Sequence, residues 1–179
     1  MATPPVFSSG QTLTSSAMNS VGLWLISKST IPASSLLYTT PTVFSSDFDN
    51  YRVIIRGVKS SAVSDLLINF GATITGYYGS AYFDNYNGAV TGTNRRNNGA
   101  NLYIGGVETI LGEQVISMDI ANPFLAMSTS INGGYYGNGY SGWFGGTQAN
   151  ATSFTTLTVR PAAGTITGGT ITVYGYRSQ

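Results

Sequence analysis

Two apolar spacings recur along this chain, and both belong to strands. In Tyr51-Arg52-Val53-Ile54-Ile55-Arg56, Tyr51, Val53 and Ile55 share one side of an extended backbone, with Arg52 and Arg56 on the other. Residues 115–120 alternate in the same way and direct Ile116, Met118 and Ile120 inward. The run Asp65-Leu66-Leu67-Ile68-Asn69-Phe70 is almost continuously apolar and reads as a buried strand. Leu23-Trp24-Leu25-Ile26, leading into residues 27–31, predicts another. Residues 153–160 and 165–176 predict the last two, with Pro161 and Gly164 at the turn between them and Gly168-Gly169 punctuating the second. No helical period follows residue 22.

Between these strands the spacing predicts loops of an unusual kind. They are Gly76-Tyr77-Tyr78-Gly79, the run from Tyr82 to Gly88, and Gly133-Gly134-Tyr135-Tyr136-Gly137-Asn138-Gly139-Tyr140. Short strands separated by Gly, Asn and Pro turns predict an all-β fold: an antiparallel β-sandwich of jelly-roll type. The chain divides into residues 1–33, an N-terminal arm with the first strand, and residues 34–179, the sandwich domain. Within the arm Thr14 is placed to cap one helical turn running to about Asn19, with Gly22 ending it. A turn that short is not stable alone, so it has to dock on its own domain or on a partner.

Composition narrows the function. Charged residues make up 8% of the 179 residues and the net charge is +1. A nucleic-acid binder working by counterion release needs clustered cations, and the only basic dipeptide is Arg95-Arg96. There is no Cys, which excludes disulfides and thiolate metal sites, and no His, the usual general base and metal ligand. A Ser–Lys nucleophile would have only Lys28 and Lys59 to draw on. Paired carboxylates remain, from Asp47, Asp49, Asp65, Asp84, Glu108, Glu113 and Asp119. Asp47 and Asp49, two positions apart, could share a calcium ion, but Asx-turns at the entry to a strand explain them better. The stretch Gly137 to Gly142 matches a dinucleotide fingerprint by letter, without the strand before and helix after that would aim a helix N-terminus at a phosphate. The expectation is therefore no catalytic residue, no metal and no cofactor. The first residues lack a basic, apolar leader, and the longest apolar stretch is far below the roughly 20 residues of a membrane helix. Both point to synthesis in a cytoplasm, with no membrane or nucleic-acid partner.

The twelve tyrosines are the stronger signal. Rigid amphipathic rings among Gly and Asn suit contact with protein or sugar. The residues to watch are Tyr77, Tyr78, Tyr135, Tyr136, Tyr140 and Trp143. The simpler alternative is that they pack across the ends of the sandwich or against sister subunits.

The arm, Phe7-Ser8-Ser9-Gly10-Gln11-Thr12-Leu13-Thr14 followed by Met18-Asn19, resembles the leader of structural proteins of tailed bacteriophages, especially tail-fibre and minor tail proteins. The remainder resembles a β-sandwich domain of phage virions. The signposts are Phe44 with Phe48-Asp49-Asn50-Tyr51-Arg52-Val53-Ile54-Ile55, the Asp65–Phe70 strand, Ile120-Ala121-Asn122-Pro123-Phe124, Ser153-Phe154-Thr155 and the close from Gly168 to Arg177. The resemblance implies a non-enzymatic structural component of the virion: a self-associating subunit, commonly a homotrimer, serving as capsid decoration (cement) or short tail fibre. It implies contact with other virion proteins, such as major capsid or tail proteins, through an arm carrying Phe7, Leu13 and Met18. The alternative is a carbohydrate- or receptor-binding module that meets a host-surface glycan through the Tyr/Trp-rich loops. A polysaccharide depolymerase using Asp or Glu pairs is the third reading; it would need a longer chain for an extended groove.

Overall fold

The computed structural model describes residues 9–10, 12, 22–85, 91–109, 114–137 and 139–176, and every regular element among them is a strand. In chain order these are β1 (Trp24–Thr30), β2 (Tyr38–Thr39), β3 (Asn50–Arg56), β4 (Lys59–Ser60), β5 (Ser64–Phe70), β6 (Tyr77–Asn85) and β7 (Thr91–Gly99). They continue as β8 (Leu102–Val107), β9 (Val115–Ala121), β10 (Thr129–Gly137), β11 (Tyr140–Gln148), β12 (Leu157–Pro161), β13 (Ile166–Thr167) and β14 (Thr170–Tyr176). The helical turn expected at residues 14–19, with Phe7, Leu13 and Met18, lies outside the described residues.

The strands form an eight-stranded sheet, β1-β14-β3-β9-β10-β11-β6-β7, and a four-stranded sheet, β2-β12-β5-β8, with β13-β4 as a small third ladder. Every pairing is antiparallel. The two larger sheets pack face to face as a β-sandwich, because each has one apolar face to remove from water. The large sheet contributes Tyr51, Val53, Ile55, Ile116, Met118, Ile120, Ile171 and Val173 to the core, as the alternation in β3 and β9 predicts. The small sheet answers with Leu66, Ile68, Phe70, Leu102, Ile104, Leu157 and Val159. β5 is buried from Leu66 to Phe70, as its continuous apolar run requires.

One end of the core is aromatic. Phe44 meets Tyr51 edge-on at 4.8 Å, and Phe70 lies between Tyr77 and Phe154. The hydroxyls of Tyr51 and Tyr77 are paired: Tyr51 donates to the Ser45 carbonyl at 2.9 Å and accepts from the Ser45 amide at 2.8 Å, and Tyr77 accepts from the Phe70 amide at 2.7 Å. The turn into β14 uses Gly168 and Gly169, both at positive φ; at Gly169 a Cβ would also lie 2.6 Å from the Arg56 carbonyl oxygen.

The main departure from the sequence reading concerns the Gly/Tyr segments. Tyr77–Asn85 is strand β6 and Gly133–Gly137 is the second half of β10, not loops, and Trp143 is in β11. The residues 153–156 precede β12 without strand pairing of their own, although Thr155 accepts backbone hydrogen bonds from Val43 and Phe44.

Candidate functional site

Because β6, β10 and β11 are strands, their side chains divide by parity. Tyr77, Tyr135 and Tyr140 face inward, and Tyr78, Tyr136 and Trp143 face out. The six candidate contact residues therefore fall into three places rather than one.

Tyr77 is in the core, fully buried, and burial pushes its phenol up to about 12. It is a packing residue.

Tyr135 and Tyr140 line a cavity of about 310 Å³ between the sheets. Its apolar walls are Val58, Val63, Phe83 and Val107, and its polar groups come from Asp65, Tyr103, Glu108 and Gln114. The Tyr103 hydroxyl donates to that of Tyr135 at 3.3 Å, and burial first, then this bond, drives the Tyr103 phenol far above its ordinary range. Gln114 donates its side-chain amide to the Gly106 carbonyl. Burial raises the Asp65 carboxyl, against the opposing pull of Arg96 and a 3.4 Å hydrogen bond from Asn94. The shape of this cavity depends on β8, where a register shift opposite Leu66 and Leu67 leaves Ile104 as an extra residue. Sequence reasoning had no signal for it: Asp65, Tyr103, Glu108 and Gln114 meet only once the sheets are stacked.

Tyr78, Tyr136 and Trp143 lie on the outer face of the large sheet, where Tyr82 joins them. Trp143 is 58% exposed and stacks on Tyr82, its direct cross-strand neighbour, with ring centroids 6.1 Å apart. On its other side the direct neighbour is Gly134, followed by Ser117 on β9. The next outward row carries Asn132, Gly145 and Ser80. Further along that row, Arg52 grips Asp119 through two hydrogen bonds of 2.9 and 2.7 Å.

Asp47 accepts from the Ser45 hydroxyl at 3.0 Å in a local turn. Among the described residues no three acidic side chains come together to hold a metal ion, and no helix is long and apolar enough to cross a membrane. Arg95-Arg96 sits on β7, where Arg96 donates to Asn94 and Asn101.

Comparison of the chain with protein-family models, curated proteins and solved structures finds no match.

Proposed function

We propose that this protein is a non-enzymatic structural subunit of a tailed-phage particle, displayed on the virion as a capsid decoration or short tail fibre and associating with copies of itself. The jelly-roll connectivity expected of such a subunit is part of this reading. The observation that carries it lies where the arm enters the sandwich. β1 is the edge strand of the large sheet; Leu23, just before it, and Leu25, within it, are 50% and 60% exposed. Leu25 stands beside Tyr174 on the outer face, and Leu36 and Leu37 are uncovered just beyond Ile31. Apolar side chains next to an unpaired strand edge are a hazard in a monomer and an asset in an assembly, where covering them releases about 25 cal/mol per Å². An arm that orders on a neighbouring subunit adds contacts along its length, its ordering cost being met only on assembly.

The test is copy number in purified particles. Hundreds of copies on tailless heads mark a decoration subunit, a few tens confined to tails mark a fibre, and absence from particles overturns the reading. Deleting residues 1–22 leaves a folded domain that no longer incorporates; normal incorporation would remove the anchoring role of the arm. Turnover of a polysaccharide that is abolished by Asp65→Asn or Glu108→Gln in a folded sample would make the protein an enzyme instead.

A further inference from the structure

The glycines of β10 and β11 are of two kinds. On the inner face a Cβ at Gly133 would lie 2.5 Å from the Ser117 carbonyl oxygen, at Gly142 2.2 Å from that of Tyr82, and at Gly146 2.4 Å from that of Tyr78. The fold demands glycine there. On the outer face Gly134 and Gly145 have no positive φ, and a Cβ would meet nothing nearer than 3.3 and 3.7 Å. Glycine in a strand interior costs roughly 0.5–1 kcal/mol relative to alanine. Among the described residues no close contact accounts for that cost at Gly145, and at Gly134 only the Gly142 carbonyl, 3.3 Å from the added Cβ, would have to give slightly.

Both bare positions adjoin the exposed Trp143. Along one row the order is Ser117, Gly134, Trp143, Tyr82; along the next it is Asn132, Gly145, Ser80. Tyr82 backs the indole on one side, and Gly134 leaves the other side open as far as Ser117, two strand spacings or about 9–10 Å away. This is a slot with an aromatic wall and a glycine floor. A sugar ring laid against the indole at van der Waals distance, about 4 Å, fits inside it. The side chains around it, Ser117, Asn132, Ser80 and Ser141, are hydroxyls and an amide that both donate and accept, matching sugar hydroxyls. An apolar partner surface would leave them dry and unpaired. Of the charged residues around it, Arg52 and Asp119 neutralise each other beyond Asn132, and Arg95 beside Ser80 and Asp84 beside Ser141 stand one position outside the slot with opposite charges.

We infer that this slot on the outer face of β9, β10, β11 and β6 binds a neutral glycan, stacked on Trp143 over Gly134 and Gly145. The inference does not rest on a place in a virion. Its probes are short neutral oligosaccharides: α- and β-glucan, mannan and galactan series. Binding is read by saturation-transfer NMR on the unaltered chain and by indole emission in a Trp24→Phe background, where Trp143 is the one indole. At least one series is expected to bind, with affinity falling roughly tenfold or more in Trp143→Ala. Gly134→Val, which fills the slot and leaves the ring in place, is expected to fall as far while keeping its melting temperature. Should Gly134→Val fail to fold, Gly145→Thr carries the same test. Undiminished binding in either folded variant overturns the inference, as does the absence of binding in every series. If no sugar binds and Trp143→Ala breaks up an oligomer in sedimentation, the face is a subunit contact and the inference is likewise wrong.

Discussion

On β11, Trp143 and Phe144 are consecutive residues with opposite surroundings: the indole is 58% exposed, whereas the phenyl is 2% exposed. The glycines beside them follow the same contrast in degree: a Cβ would lie 2.2–2.5 Å from backbone oxygen on the inner face and 3.3–3.7 Å on the outer. The inner face of β10, β11 and β6 is fixed by how closely strands and core must approach, while the outer face carries features that packing does not require. If that is right, changes of equal chemical size on the two faces will differ sharply in their effect on stability. Phe144→Ala should cost about 3–5 kcal/mol, the range for removing a buried phenyl. Trp143→Ala should cost only about 0.5–1.5 kcal/mol, most of it the lost stack with Tyr82. Urea unfolding of the two variants, compared by midpoint at equal slope, checks the pair. Similar costs would mean that the outer indole is a structural element of the fold.

The glycines sharpen the contrast. Gly142→Ala drives a methyl group to 2.2 Å from the Tyr82 carbonyl and 2.8 Å from the Tyr135 ring, where backbone has to yield. The expected loss is about 1–3 kcal/mol. Gly145→Ala should go the other way and stabilise by about 0.5–1 kcal/mol, since it stiffens the unfolded chain and makes only an ordinary van der Waals contact with the Ile131 carbonyl at 3.7 Å. Thermal melts of both variants decide it. A destabilised Gly145→Ala would remove the reason for treating the outer glycines as ligand-driven.

These two faces also explain what the sequence made legible. β3, β5 and β9 stand out because side chains of similar size repeat at every second or every position. In β10 the inward set is Ile131, Gly133, Tyr135 and Gly137, so glycine interrupts the apolar alternation and the segment reads as a loop. One signal did point the other way. Asn138-Gly139, a dipeptide favoured in two-residue hairpins, separates two segments that pair over nine positions, out to Gly137 opposite Tyr140. Once these segments are strands, the tandem pairs Tyr77-Tyr78 and Tyr135-Tyr136 must each send one ring in and one out, and they do. Of the residues singled out for contact, Tyr78, Tyr136 and Trp143 are exposed on the outer face, whereas Tyr77 is in the core. The cavity with Asp65 and Glu108 was out of reach, because it joins residues from five strands through inter-sheet packing and a bulge.

That cavity holds a carboxylate whose stability cost pH can reveal. Burial raises the folded-state pKa of Asp65 above its ordinary 3.8. The native state therefore holds the proton more tightly than the unfolded chain. Stability linked to this group is present below pH 3.8 and is lost as the pH rises through the folded value. Asp65→Asn keeps the shape and removes the charge, so it should melt above the parent at neutral pH, with the difference vanishing in acid. A constant difference at all pH values would show that the carboxylate is fully compensated by Arg96 and Asn94.

The smallest effect belongs to the outer face again. Arg52 and Asp119 make a bidentate pair, but their side chains are 43% and 30% exposed, so water and salt screen them. The hydrogen bond to Asp119 is the main reason that the Arg52 guanidinium holds its proton still more firmly than usual. Even so, a double-mutant cycle of Arg52→Ala and Asp119→Ala should give a coupling of only about 0.2–1 kcal/mol, shrinking in high salt. Measured beside Phe144→Ala, a coupling that small would place the stability of this sheet in its inner face. A coupling of several kcal/mol, insensitive to salt, would mean that the outer face is dry in solution. In that case a partner already covers the row from Tyr174 to Asn132, and the glycan slot would lie at the margin of a subunit interface.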